Sequence, residues 1–244
     1  MTSSGKKSAI FVAAGLALLL GLSVLGLQRW YGHGLLAGDA GLDITGPVEA
    51  VATLHRLYPI FTDPEEREGM SLEQRRAVET EFQELLQQLP LDLLLPQMEK
   101  YSVAYSSQVE RFDDPQAFVL RLSQVAMNGI ITPLEAETPG QGPVRFERRA
   151  ADLRDLRVFE AGNKTIFALF DSSAYADTRV LVKWYHADSG RVVLFKQFEI
   201  SAGDSNYIWI DNNNGFEAGN YRVEIYRVNE TLSLLSSGEY RVEG

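Results

Sequence analysis

The fold of the C-terminal part of this chain is decided by residues 178–186, TRVLVKWYH. β-Branched and aromatic residues dominate this run, which is typical of a strand in a packed sheet. Successive side chains of a strand point to opposite faces, so Val180, Val182 and Trp184 share one face. The alternation predicts that Trp184 fills the space between two packed sheets.

Further runs of the same kind follow one another through residues 144–244, divided by Gly, Asn, Asp and Ser. The chain is long enough there for seven or eight short strands, which is the size of one antiparallel β-sandwich. The other runs are VRFERR (144–149), LRVF (156–159), KTIFALF (164–170), RVVLFKQFEI (191–200), SNYIWI (205–210), GNYRVEIYRV (219–228) and LSLLSSGEYRV (232–242).

One motif in this region resembles a known family. Residues 217–223, EAGNYRV, are similar to the acid-x-Gly-x-Tyr-x-Cys turn into strand F of immunoglobulin-like (Ig-like) domains, with Val223 at the half-cystine position. Trp184 is placed like the strand C tryptophan of those domains. Because the cysteines are missing, residues 144–244 resemble the cysteine-free bacterial Ig-like envelope domains of unknown function. The resemblance implies packing roles and supplies no catalytic residues.

The same residues predict structural roles without the family. Tyr221 stands at the start of a strand, just after Gly219, where its ring can be buried and its hydroxyl can return to a loop backbone. We therefore expect Trp184, Gly219 and Tyr221 to act on folding.

Helical signals occupy residues 47–131. Ser71 and Gln74 match a capping box, Pro90 ends the helix that follows, and Asp114 with Pro115 opens another helix. Apolar residues recur in these segments at three- and four-residue spacing, so the sequence predicts a small α-helical bundle. Residues 132–143, TPLEAETPGQGP, hold three prolines and two glycines and are interpreted as a linker. The predicted fold class is multidomain α+β.

An uncharged apolar run covers residues 8–27, SAIFVAAGLALLLGLSVLGL. As a helix it is about 30 Å long, which matches the hydrocarbon thickness of a bilayer. Lys6 and Lys7 precede it, so residues 1–7 are expected in the cytoplasm and the rest across the membrane. The sequence predicts a single-pass transmembrane anchor, followed by a flexible, glycine-rich spacer at 28–46.

Two alternatives remain open for the apolar run. One is a cleaved signal peptide, although the run is longer than the usual apolar core and the small residues Ala37 and Ala40 lie far beyond it. The other is a buried helix of a soluble protein. Asp39 stands where a lipoprotein signal would need a cysteine, which excludes lipidation there.

Small residues Ala13, Ala17 and Gly21 recur every four positions in the run, where they could let a second helix approach closely. A homo-oligomer through this face is one prediction, and a plain anchor is the alternative. The chain contains no cysteine, which suits a bacterial periplasm better than a disulfide-using extracellular space. We therefore predict a bacterial inner-membrane protein with periplasmic domains.

Charge and composition exclude several function classes. The net charge is −10, and residues 39–139 alone carry 7 bases against 18 acids, a net −11, so nucleic acid is a poor partner. Without cysteine there is no thiolate metal site. His186 with Asp188 is an incomplete acid–base pair, and residues 211–215, DNNNG, lack calcium-loop spacing. The sequence predicts no metal, no cofactor and no enzyme activity.

Two groups of residues are candidates for partner binding. Aromatic side chains of the β region could form an exposed patch for a protein or a sugar, and acidic side chains of the helical region could select basic partners. These candidates are Tyr185, Tyr207, Trp209 and Tyr226, with Glu79 and Glu84. The predicted function is an assembly or scaffold component of an envelope protein complex. The alternatives are a membrane-tethered ligand or carbohydrate sensor and, as a weaker candidate, a tethered hydrolase.

Overall fold

A computed structural model of the chain describes most of the helical and β regions. The described residues form two compact units, one on each side of the boundary between Pro133 and Leu134. They comprise residues 65–67, 69–100, 104–127, 144–149, 154–172, 178–201 and 205–244, together with Thr53, Arg56, Leu57 and Ile60.

Several predicted segments lie outside the described residues. They are the predicted cytoplasmic tail (1–7), the predicted transmembrane run (8–27), the spacer (28–46) and the linker (132–143). The small residues Ala13, Ala17 and Gly21 belong to the second of these segments. Within the described ranges, no helix combines the length and the apolar character needed to cross a bilayer.

The elements of the helical unit that the structure describes in full are one 3-10 turn and four α-helices after it. Ser71 accepts a hydrogen bond from the backbone N–H of Gln74, whose side chain accepts one from Ser71 N–H, so the first helix has a complete capping box. Asp114 caps the last helix by accepting from Ala117 N–H at 2.8 Å. The elements are the 3-10 turn Glu65–Arg67, α1 Leu72–Gln88, α2 Leu91–Lys100, α3 Ser106–Val109 and α4 Pro115–Met127.

The β unit contains two sheets. A three-stranded sheet has the order β1-β3-β6, and a five-stranded sheet has the order β2-β8-β7-β4-β5. The strands are β1 Arg145–Glu147, β2 Val158–Glu160, β3 Thr165–Asp171, β4 Thr178–His186, β5 Arg191–Ile200, β6 Ser205–Asp211, β7 Gly219–Arg227 and β8 Leu234–Glu243.

One apolar core joins the two sheets. Phe146, Ile166 and Ile208 of the three-stranded sheet belong to the same buried cluster as Trp184 and Val223 of the five-stranded sheet. The inner face of each strand is therefore set by the period-two alternation of its apolar residues.

The predicted fold class is wrong. The sequence predicted a small helical bundle and a wholly antiparallel Ig-like sandwich, but β2 pairs in parallel with β8, with Val158 opposite Arg241. The five-stranded sheet is therefore mixed. The sequence could not indicate this because β2 has only three residues, too few for its alternation to predict a partner strand or a direction. In the described residues, eight strands accompany three helices of ten residues or more, which makes the structure β-rich.

Candidate functional site

The four predicted aromatic residues do not share one face. Tyr207 and Trp209 lie on β6 in the three-stranded sheet, whereas Tyr185 and Tyr226 lie on β4 and β7 in the five-stranded sheet. Trp209 is 55% exposed, but Tyr185 and Tyr226 are 2% and 8% exposed. Only the β6 pair can therefore contribute to an exposed binding patch.

Tyr207 and Trp209 join Phe167 of β3 on the outer face of the three-stranded sheet. Phe167 stands directly opposite Trp209 in the β3–β6 pairing. Its ring centroid lies 6.3 Å from that of Trp209 and 6.4 Å from that of Tyr207. We call Phe167, Tyr207 and Trp209 the aromatic surface. Ile166 and Ile208, which alternate with these rings, are buried in the core, so the alternation itself holds the rings outside.

Polar groups border the aromatic surface. Thr165 Oγ1 donates a hydrogen bond of 2.6 Å to Asp211 Oδ1 at one end of the same face. Arg145 of β1, which is exposed, lies opposite Leu169 on the other side. Rings surrounded by polar groups are the usual composition of a binding patch, because the rings supply contact area and the polar rim supplies orientation.

Tyr185 and Tyr226 instead belong to a buried polar cluster on the outer face of the five-stranded sheet. Tyr226 Oη donates to Glu224 Oε2 at 2.9 Å, and Tyr185 Oη donates to Glu224 Oε1 at 3.3 Å. Arg222 Nε lies 3.0 Å from Glu224 Oε1, and Lys183 Nζ lies 4.8 Å from the centroid of the Tyr185 ring. We call these five residues the Glu224 cluster.

The electrostatics of the Glu224 cluster keep the tyrosines neutral. Burial raises the pKa values of both tyrosine hydroxyls, and the Glu224 carboxylate raises these pKa values further. Desolvation alone would lower the pKa of Arg222, but the acidic groups around it, with Glu224 the strongest of them, together outweigh desolvation and raise the pKa. The cluster therefore contains an ion pair held by two neutral phenols.

Replacing Tyr226 by phenylalanine should destabilise the protein by about 1.5–3 kcal/mol, since the change removes a hydrogen bond to a buried carboxylate. Tyr185→Phe should cost less, because its oxygen lies farther from the carboxylate. Urea unfolding followed by circular dichroism measures both. Equal midpoints for Tyr226→Phe and the wild type would show that the hydroxyl contributes nothing to folding.

The predicted acidic pair lies on α1. Glu84 is exposed and Glu79 is half-buried. Five positions separate them, so in an α-helix their side chains point about 140° apart. A single flat partner therefore cannot contact both equally, and Glu84 is the better placed of the two.

The predicted structural residues lie in the core and at one end of it. Trp184 is fully buried, and its Nε1–H donates to Tyr240 Oη at 3.0 Å. Tyr221 is buried and its hydroxyl donates to the carbonyl oxygen of Glu217 at 3.0 Å. Burial raises the pKa of Tyr221 to about 12, so the hydroxyl remains a donor at neutral pH.

His186 and Asp188 hold loops together. Ser189 N–H donates to His186 Nδ1 at 3.2 Å, which leaves the ring proton on Nε2, 3.2 Å from the carbonyl oxygen of Ala218. Asp188 accepts hydrogen bonds from the backbone N–H and the side chain of Asn220. Desolvation opposes the ionised form of Asp188, but these hydrogen bonds outweigh it and lower its pKa. Both side chains are thus engaged in positioning the turn before β7.

The oxygen-rich loop at residues 211–215 forms a tight turn. Asn214 N–H donates to Asn212 Oδ1, and Gly215 adopts φ +81° while its N–H donates to the Asn212 carbonyl oxygen. Across the described ranges, no group of three or more His, Asp or Glu residues is arranged to hold a metal ion.

Three residues that matter for the core or for the candidate site were not predicted from the sequence. Phe167 could have been found, because the alternation in KTIFALF places it opposite Ile166 on the outer face. Tyr240 is in phase with Val242, which signals the core. Glu224 had no signal, since a charged residue on a strand is ordinarily expected in solvent.

No protein-family model matches this chain, and no curated protein sequence matches it significantly. The resemblance to bacterial Ig-like envelope domains stays a prediction.

Proposed function

We propose that this chain is a membrane-anchored binding protein of the bacterial inner membrane, and that its periplasmic β unit presents the aromatic surface to another envelope protein. The observation that carries this proposal is the 55% exposure of Trp209 beside two further rings. The anchor and the periplasmic location are supported by the apolar run at 8–27 and the lysines before it.

Exposure of the large apolar surface of a tryptophan to water is unfavourable in free energy. Tryptophan and tyrosine are also among the residues most enriched where the binding energy of an interface is concentrated. Packing of the three rings against one another fixes their positions before a partner arrives, which lowers the entropy lost on binding. The acidic α1 helix, with Glu84 outermost, can favour a basic partner and repel an acidic one.

A carbohydrate-binding sensor is the second candidate. It is favoured by the Thr165–Asp211 pair at the end of the aromatic surface, because a hydroxyl and a carboxylate beside an exposed ring can bind sugar hydroxyls.

The test compares Trp209→Ala and Phe167→Ala with Val158→Ala, which truncates another exposed apolar side chain, 48% exposed on β2. Proteins that co-purify with the wild-type chain from detergent-solubilised membranes are identified first. Trp209→Ala should weaken their recovery by roughly 30-fold, equivalent to about 2 kcal/mol, and Phe167→Ala should weaken it less. Val158→Ala should leave recovery unchanged.

Envelope polysaccharide is the second arm of the test. Binding of the purified chain to that polysaccharide, lost in Trp209→Ala, would favour the sensor instead. Partner recovery and polysaccharide binding that are both insensitive to Trp209→Ala and Phe167→Ala would refute the aromatic surface as the binding site.

A further inference from the structure

An exposed carboxylate lies beside the most exposed ring of the aromatic surface. Asp211 follows Trp209 by two positions on β6, and both are exposed. They share the outer face of the three-stranded sheet, because Ile208 and Ile210, which alternate with them, are buried in the core. At about 3.3 Å per residue of a strand, their Cα atoms lie about 6.6 Å apart. One ligand group can therefore contact the indole and the carboxylate together.

Thr165 fixes the position of this carboxylate. It stands directly opposite Asp211 in the β3–β6 pairing, and its Oγ1 donates the hydrogen bond of 2.6 Å to Asp211 Oδ1. In the part of the chain that the structure describes, no ion pair joins Asp211 to a basic side chain. Since a carboxylate offers about four acceptor positions, Asp211 can accept further hydrogen bonds from a ligand.

Acidic side chains outnumber basic ones on this face of the sheet. Within the described strands β1, β3 and β6, the outer face carries Asp211, Asp171 and the buried Glu147, against one basic residue, Arg145. Arg145 is on β1, two strand spacings or about 9.6 Å from β6. The charge next to the Trp209 ring is therefore negative, which favours a positively charged ligand group.

A guanidinium group satisfies the ring and the carboxylate at once. A cation over an indole face is attracted by the ring quadrupole, and a neighbouring carboxylate adds charge-assisted hydrogen bonds. The guanidinium is planar and weakly hydrated, so it can stack on Trp209 while its N–H groups point within its plane toward Asp211. A lysine ammonium is a compact and strongly hydrated charge, which is less suited to covering a ring. A neutral apolar group would desolvate Asp211 without replacing its hydrogen bonds with water.

We infer that the aromatic surface binds an arginine side chain of the envelope partner, with the guanidinium stacked on the Trp209 indole and hydrogen-bonded to the Asp211 carboxylate. Phe167, whose ring lies beside that of Trp209, can contact the aliphatic stem of the same arginine. The inference rests on the proposed function, because it states the chemistry of the partner at the same surface.

Three small compounds test the inference on the full-length chain in mild detergent. They are the N-acetyl amides of arginine, of lysine and of citrulline, which is the uncharged counterpart of arginine with the same planar shape. The chain has three tryptophans, so labelling with 5-fluorotryptophan gives three fluorine resonances, and the spectrum of Trp209→Phe identifies the one from Trp209. At equal concentration and ionic strength, the arginine compound should displace this resonance at least about threefold more than either other compound.

Two matched variants show which carboxylate is responsible. Asp211→Asn keeps the shape of the side chain and an acceptor for Thr165 but removes the charge, so the arginine compound should then displace the Trp209 resonance no more than citrulline does. Glu243→Gln removes an exposed charge from β8 in the other sheet and should leave the selectivity for arginine unchanged. The resonance of Trp184, which is fully buried, should stay in place throughout and reports that the variants remain folded.

Equal displacement by the arginine and citrulline compounds, or selectivity for arginine that persists in Asp211→Asn, would overturn the inference. Partner recovery separates this result from the proposed function. Recovery should fall about threefold or more in Asp211→Asn if the partner presents an arginine. Recovery that depends on Trp209 and Phe167 but not on Asp211, together with equal displacement by all three compounds, would refute only the arginine and indicate a partner that presents an apolar group. Recovery that is insensitive to all three residues would refute the proposed function itself.

Discussion

Replacing Trp184 by alanine is expected to destabilise the β unit by about 3–5 kcal/mol, the largest loss that we expect from any single side chain here. The ring is fully buried and packs in the core with Phe146 and Tyr240, at centroid distances of 6.2 Å and 6.0 Å. Its removal leaves a cavity that the two sheets cannot close, and it deprives Tyr240 Oη of its hydrogen-bond donor. Both effects add to the lost apolar contact.

Two matched variants make this result specific. Trp184→Phe keeps an apolar ring and loses the N–H, so it should cost clearly less than Trp184→Ala. Trp209→Ala removes the same residue type from an exposed position and should change stability by less than about 0.5 kcal/mol. Urea unfolding followed by circular dichroism measures all three. A Trp184→Ala variant as stable as Trp209→Ala would disprove the interior role of Trp184.

Replacing Gly219 by alanine should cost about 3 kcal/mol or more. Gly219 has φ +142°, a conformation that side chains rarely adopt. A Cβ atom there would lie 2.3 Å from His186 Nε2 and 2.7 Å from Asp188 Oδ2, so something must move. His186 cannot move freely, since both of its ring nitrogens have hydrogen-bond partners and its ring packs edge-on against Tyr221. Backbone strain and overpacking therefore add.

Gly162→Ala is the control for this prediction, because no atom lies within 4 Å of its Cβ position and its φ is ordinary. It should leave the unfolding midpoint almost unchanged. In the double variant Gly219→Ala/His186→Ala, the clash with the His186 ring should be relieved, whereas the close contact with Asp188 and the backbone strain should remain. A Gly219→Ala protein within about 0.5 kcal/mol of the wild type would refute the close packing of the His186 ring.

Alternation in the sequence predicted which side chains of each strand face the core. It placed Val182 and Trp184 on one face of β4 and Lys183 on the other, and the structure has the first two in the core. It could not predict that Lys183 is also buried, because the burial of a second face depends on residues distant in the sequence. For the same reason Tyr185 and Tyr226 were mistaken for surface residues.

The direction of β2 could not be predicted from the local sequence pattern. β2 has only three residues, too few to show a period, and its partner β8 is chosen by the path of the chain between the sheets. Part of the candidate binding surface could be predicted, because the sequence identified Tyr207 and Trp209 as aromatic residues of one strand. Phe167 could not be added to them, because its position beside Trp209 depends on the register between β3 and β6. Sequence periodicity indicates which face of a strand a side chain lies on, but it does not indicate which strand lies beside it.

The parallel pairing of β2 with β8 also sets the order in which the β unit can be made. Arg157, just before β2, donates to the carbonyl oxygen of Glu239 in β8, 82 positions later. β2 therefore has no place in its sheet until β8 has left the ribosome, and β7 has only β4 beside it until then. Folds closed by such distant strands form slowly, and their edges stay open to wrong partners in the meantime. The five-stranded sheet can therefore be completed only after β8, at residues 234–243, has been synthesised.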